Sequence, residues 1–180
     1  MPFVQLYDVL PDLAEAETRS MIVFDNGEPT VTYSLVEMFC NERGCDCRRA
    51  FIQVVSDDPS VPQPRATISW GWESAAFYRR WASFPLNEED LDELRGPALA
   101  RLHRQSEEAD ALLAQVRDVL ADEAYAARVI RHYHAFRAAL GETPSPSPPS
   151  GRGKGKAVAK RRAKNKQRRK ARAQQRRKRK

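Results

Sequence analysis

The first 150 residues contain no lysine. All eight lysines lie between Gly151 and Lys180, together with nine arginines and no acid, so that segment carries +17. The preceding 150 residues hold 14 arginines against all 24 acids, a net of −10. A general preference for Arg over Lys would not produce that split. The end segment requires positive charge of either kind, so body and tail are separate parts with separate partners.

Other scarcities narrow the chemistry. No apolar run approaches the roughly 18 residues of a membrane span. The start, "MPFVQLYDVLPDLAEAE", lacks a basic stretch and a long apolar core, which predicts no signal peptide and an intracellular, cytoplasmic protein. No P-loop, dinucleotide-type glycine motif or nucleophile elbow is present. Histidine occurs three times, as His103, His132 and His134.

Cysteine also occurs three times, and all three fall within eight residues, in "FCNERGCDCRRAF". Cys40, Cys45 and Cys47 are spaced C-x4-C-x-C and followed at once by Arg48 and Arg49. In a reducing compartment such a set does not read as structural disulfides. Zinc takes thiolate and imidazole ligands in fours. Gly44 permits the sharp turn a knuckle needs, and the two arginines would offset a thiolate-rich centre. Three sulfurs leave one ligand missing. His132, on the flank of the last helix's apolar stripe, is the preferred fourth ligand. His103 comes second, and Asp46 is weaker. Two other readings stay open: thiols packed as small core hydrophobes, and a redox or nucleophilic thiol activated by the arginines.

Around this cluster the pattern is α+β. "LPDLAEAET" predicts a short helix and "SMIVF" a strand stopped by the turn signal "DNGEP". "YSLVEMFC" fits one helical turn or a short strand equally well. "RAFIQVV" and "ATISWGW" predict an antiparallel hairpin with the cysteine knuckle where the chain enters it. Helices follow. "ESAAFYRRWASF" carries the stripe Phe77, Trp81, Phe84, and Asn87 caps "EEDLDELR". "ALARLHRQ" predicts another helix after Gly96-Pro97. Ser106 caps "EEADALLAQVRDVL", and Asp122 caps "EAYAARVIRHYHAFRAAL", which Gly141 ends. The expected architecture is a small antiparallel sheet, a hairpin plus an N-terminal strand, covered by a C-terminal helical bundle. Residues 1–141 form the domain, 142–153 a Pro/Ser/Gly linker, and 154–180 a disordered Lys/Arg-rich tail.

The tail carries the clearest partner signal. Lys160, Arg161, Arg162, Lys164, Lys166, Arg168, Arg169, Lys170, Arg172, Arg176, Arg177, Lys178, Arg179 and Lys180 are cations uninterrupted by acid, which suits a polyphosphate. Nucleic acid or the ribosome is the expected partner, with nucleoid or ribosome association to match. The tail has no bulky apolar residue for membrane insertion. The acidic body offers a surface for a protein partner. Trp70, Trp72, Phe77 and Trp81 suit base stacking or, more commonly, a core.

"YSLVEMFCNERGCDCRRAFIQVV", "ATISWGWES", "RQSEEADALL" and "DEAYAARVIRHYHAFR" resemble an uncharacterised bacterial family. Its members carry a C-x4-C-x-C-R-R segment before a strand, and several end in a SEC-C motif, a small zinc-binding module. The resemblance implies Cys40, Cys45 and Cys47 as metal positions and aligns His132 with a family histidine. This chain has a basic tail in place of the C-terminal module. A zinc-stabilised nucleic-acid-binding protein is the leading expectation. A metal- or thiol-dependent enzyme placed by the tail, and a protein-interaction adaptor, are the alternatives.

Overall fold

A two-residue turn sets up the sheet. In the computed structural model, which describes residues 3–142, Asn26 and Gly27 both have positive φ, +50° and +87°. That is the turn geometry that Asn-Gly favours and that matches the twist of a hairpin. It joins β2 (Arg19–Asp25) to β3 (Glu28–Cys40). The ambiguous "YSLVEMFC" is therefore the second half of a 13-residue strand. Its alternation decides the matter. Tyr33, Leu35, Glu37 and Phe39 point inward, and the residues between them are less buried.

β4 (Arg49–Ser56) and β5 (Ala66–Gly71) form the expected hairpin, with Ile52 opposite Ile68. Two short strands, β1 (Phe3–Gln5) and β6 (Ala98–Leu99), complete an antiparallel sheet in the order β1-β3-β4-β5-β6. β2 also pairs with β3. One edge of β3 serves β4, so β1 and β2 share the other, end to end. β1 faces Met38 to Cys40, and β2 faces β3 as far as Leu35. Between them the chain leaves the sheet through α1 (Leu6–Val9) and α2 (Pro11–Glu17). Val36 and Glu37 lie between the two registers, with no strand beside them on that edge.

The helices covering this sheet come as two pairs. α5 (Ala109–Ala121) and α6 (Glu123–Ala139) pack on the face that holds the main core. Val116, Tyr125, Val129, Tyr133 and Phe136 close it against Leu35, Phe39, Ile52 and Ile68. α3 (Ala75–Trp81) and α4 (Glu88–Arg95) make a second cluster around Tyr78, Leu91 and Leu94. β5 is fully buried along its length, Thr67 and Ser69 included. A Cβ at Gly71 would meet the Tyr78 hydroxyl at 2.2 Å, so only glycine admits α3 this close.

Asn87 and Asp122 cap α4 and α6 as the sequence predicts. Ser106 instead caps the turn before α5, accepting from the Glu108 amide. Two expectations fail. "ALARLHRQ" is no helix: Ala98 and Leu99 pair with Ser69 and Ile68, and Leu102 is exposed. Gly96 at φ +47° sits against the Ser69 carbonyl and turns the chain onto the sheet edge. The Gln105 amide then ties the segment down through Thr67 and Ala100, so tertiary pairing overrides local helix propensity. In α3, Tyr78 is the fully buried residue, and Phe84, beyond the end of the helix, is exposed. No helix among the described residues is long and apolar enough to cross a membrane. The expected linker beyond Glu142, and the tail, lie outside the described residues.

Candidate metal centre

The three cysteines sit at one end of the β3–β4 connection. Cys40 is the last residue of β3, and Cys47 lies two residues before β4. Asn41 to Gly44 make the turn. Gly44 has φ +75°, and the Cys45 amide donates back to the Glu42 carbonyl at 3.2 Å. This folds Cys45 and Cys47 over Cys40, and all three Sγ atoms lie within 4.8 Å of one another. Tetrahedral zinc with Zn–S near about 2.3 Å needs sulfurs about 3.8 Å apart, a spacing inside that limit. All three cysteines are free of disulfides. The three thiols could hold a metal ion.

Buried side chains fix this loop from three sides. Arg137, in the last turn of α6, donates to the carbonyls of Cys40 and Glu42 and pairs with Glu142. Glu142 in turn accepts from the Gly44 amide at 2.9 Å. Arg48 takes the uncommon φ of +46° and is held there by its neighbours. Its guanidinium contacts both oxygens of Asp46 and reaches Glu73 at 2.8 Å, and Tyr78 donates to its carbonyl. The Tyr133 hydroxyl reaches Asp46 as well, at 3.4 Å.

Charge distinguishes the two arginines. Arg48 already has two carboxylates. Arg49 is 6% exposed and, among the described residues, pairs with no carboxylate. It donates to the Ser69 hydroxyl at 2.9 Å, stacks over Phe51 and Phe3, and leaves its Nε unpartnered. Burial pulls its pKa down, and Cys47, then Tyr78, Glu93 and Cys40, oppose that pull. A buried cation requires a counter-charge. Among the groups that oppose the burial of Arg49, two are cysteines of the cluster, Cys47 and Cys40. Within the group, hydrogen bonds from Cys45 and Cys47 pull the Cys40 thiol down against burial, with the Glu42 amide and Arg137 assisting. Donation to the Cys40 thiolate pushes the Cys45 and Cys47 thiols up.

His132, the expected fourth ligand, is not among the residues this structure brings together with the three sulfurs. Both of its ring nitrogens face carboxylates elsewhere, Nδ1 to Glu37 Oε2 at 2.8 Å and Nε2 to Glu17 Oε2 at 3.2 Å. Its position on the flank of the α6 stripe made it buried, as expected, but turned it toward the middle of β3. His103 packs edge-on against Phe51, and Asp46 is held by Arg48. Among the described residues, no fourth His, Cys, Asp or Glu atom joins the three sulfurs. Trp70 and Trp72 pack tilted against each other and Trp72 edge-on against Tyr133, while Phe77 and Trp81 pack around Tyr78. The tail cations from Lys160 to Lys180 lie outside the described residues.

Sequence reading missed Arg137, Tyr78 and Glu37. For Glu37 a signal existed, because an acid in the inward register of an alternating strand is anomalous. It became visible only once the strand itself was assigned. No family model, curated protein or solved structure matches the chain.

Proposed function

We propose that this chain is a zinc-stabilised binding protein that attaches to nucleic acid through its basic C-terminal segment. The observation that carries the metal half is the convergence of three sulfurs within 4.8 Å beside a buried guanidinium that has no carboxylate among the described residues. Cys40, Cys45 and Cys47 would hold the ion. A bound zinc would supply folding energy by tying the end of β3 to the start of β4. The resemblance to the C-x4-C-x-C-R-R family points the same way. The nucleic-acid half rests on the +17 segment, whose cations match phosphate without sequence preference. Such a protein would work in the cytoplasm, on the nucleoid or the ribosome, with the acidic body free to meet a protein partner.

Elemental mass spectrometry of the full chain tests the metal. The protein is purified without chelator, after nuclease treatment and a high-salt wash. Near one zinc per chain supports the reading. Less than about a tenth, in folded protein with three titratable thiols, overturns it.

That no fourth side chain joins the sulfurs among the described residues favours a second reading, in which solvent completes the coordination and the ion polarises a bound water. Cobalt substitution separates the two. A four-coordinate spectrum that shifts with added azide indicates an open position, and one that ignores azide a closed one.

A further inference from the structure

We propose that the cavity between α1–α2 and β3 binds a small organic cation, an ammonium or guanidinium group on a short apolar body. The site is separate from the cysteines and independent of the metal reading.

Its origin is the gap in the sheet edge. β1 stops opposite Met38 and β2 begins opposite Leu35, so α1 and α2 arch over Val36 and Glu37 without pairing to them. By the alternation of an antiparallel strand, one of these two residues turns its backbone N–H and C=O toward that gap. Under the arch lies a cavity of about 300 Å³. This is the lower end of the range for small-molecule sites. Leu6, Ala14 and Val36 give it apolar walls. Tyr7, exposed on the outside of α1, stands at its rim.

The acids outnumber the bases inside. Glu15 and Glu37 line the cavity with His132, which pairs with Glu37, and the neutral polar side chains Gln5, Tyr7 and Thr18; no lysine or arginine is among the lining residues. Glu37 is 5% exposed, on the core face of a central strand, where a carboxylate is costly without partners. One of its oxygens, Oε2, takes the His132 Nδ1 contact. Among the described residues no protein donor reaches the other, Oε1. His132 thereby fixes the Glu37 carboxylate with one acceptor left toward the cavity. Glu17 braces the far side of the imidazole and is itself held by Arg131.

This arrangement favours a cationic donor over the other ligand classes. An anion would face Glu15 and Glu37. A metal ion would need convergent ligand atoms, whereas the two carboxylates on His132 sit at opposite ring nitrogens. The Thr18 hydroxyl, the one alcohol beside the histidine, donates to the Ala14 carbonyl and is not set up as a nucleophile. An ammonium or guanidinium would donate to Glu37 Oε1, lay its apolar part against Leu6 and Val36, and meet the face of Tyr7 at the mouth.

Isothermal titration of the full chain tests this, in about 0.15 M salt to suppress loose charge pairing. The probes are phenethylamine, agmatine and the neutral 2-phenylethanol. At least one amine should bind saturably with one site, and 2-phenylethanol at least about tenfold more weakly than phenethylamine. Glu37→Gln, which keeps the shape, should weaken the amine at least about tenfold and leave the alcohol unchanged. Equal binding of amine and alcohol, equal binding to Glu37→Gln, or no saturable binding of either amine up to about 10 mM overturns the proposal. If Glu37→Gln does not fold, the comparison of phenethylamine with 2-phenylethanol on the unaltered chain decides it alone.

Discussion

The Tyr78 hydroxyl donates a 2.8 Å hydrogen bond to the carbonyl of Arg48, thirty residues earlier in the chain. Tyr78 is fully buried in α3, and Arg48 is the left-handed residue that aims Cys47 at the other two sulfurs. This contact joins the small second cluster to the cysteine loop. Tyr78→Phe removes only the hydroxyl and leaves a buried carbonyl short of its donor. We expect a loss of about 1–3 kcal/mol in urea unfolding. Metal affinity should fall with it, because the Arg48 backbone conformation is the one the loop requires. An unchanged affinity in a destabilised protein would mean that the loop holds its own shape.

Arg49 should weigh differently in two states of the same protein. Arg49→Met deletes a buried guanidinium that has no carboxylate partner among the described residues. In the metal-free chain, where Cys45 and Cys47 are held as thiols, the effect should be small: the lost Ser69 hydrogen bond and the lost attraction to a Cys40 thiolate are offset by no longer burying a cation. In the metal-loaded chain it removes the counter-charge of the thiolates. Zinc affinity should drop about ten- to hundredfold, read by competition with a chromophoric chelator. A variant that loses stability equally with and without metal would remove Arg49 from the electrostatics of the site.

The Glu37–His132–Glu17 chain makes stability depend on pH in a stated direction. Burial disfavours the imidazolium, but Glu37, and after it Glu17, outweigh burial and raise the pKa of His132 above 6.5. Other charges close by include Arg131 on the Glu17 carboxylate, Arg128 on the Glu17 carbonyl and Glu15 in the cavity wall. A raised folded-state pKa contributes stability that is complete below about pH 6.5 and is lost as pH rises through the folded value. Glu17 acts at the acid end. Burial raises its pKa, but the bonds from His132 and Arg131 lower it overall from 4.5. Its contribution is therefore present above that value and lost as pH falls further. The unfolding free energy of the native chain minus that of His132→Gln should decline from pH 6 to pH 8. A flat difference would show that the histidine is neutral in the folded state.

The tail is tested by salt alone. If Lys160, Arg161 and Arg162 each neutralise a phosphate, replacing all three with Gln should reduce the slope of log affinity against log salt. The expected reduction is about 2.7 for duplex DNA and about 2 for a single strand. Filter binding at four salt concentrations measures it. The same loss of affinity on unrelated sequences is expected, because phosphate contacts carry no sequence information.

Local signals were legible and partners across space were not. Asn87 and Asp122 announce their helices because a cap acts within one turn. The Asn26–Gly27 turn and the clustering of three cysteines were readable for the same reason. The face of α6 was readable too, and His132 is indeed buried. What lies opposite that face depends on the register of β3, and the sequence of "YSLVEMFC" did not separate strand from helix. The sequence alone therefore offers His132 to the cysteines, while in the structure its Nδ1 lies against Glu37, three residues before Cys40. The failed helix at "ALARLHRQ" has the same cause. Its composition suits a helix, and the open edge of β5 takes it instead.

Exposure orders the reactivity of the three thiols and so gives a test of metal removal. Cys40 and Cys47 are fully buried, and Cys45 is partly exposed. A bound ion would engage all three sulfurs and protect all three from alkylation. After chelation, iodoacetamide should modify Cys45 first, in folded protein. Cys40 and Cys47 should follow only as the loop opens, which means releasing the Arg137 contacts to the carbonyls of Cys40 and Glu42. Peptide mass spectrometry over a time course resolves the three sites. Arg137→Gln should then speed modification of Cys40 and Cys47 while changing Cys45 little. If all three react at one rate after chelation, the metal holds the whole end of the β3–β4 hairpin. If chelator changes no rate, the cysteines pack without an ion and the zinc reading fails.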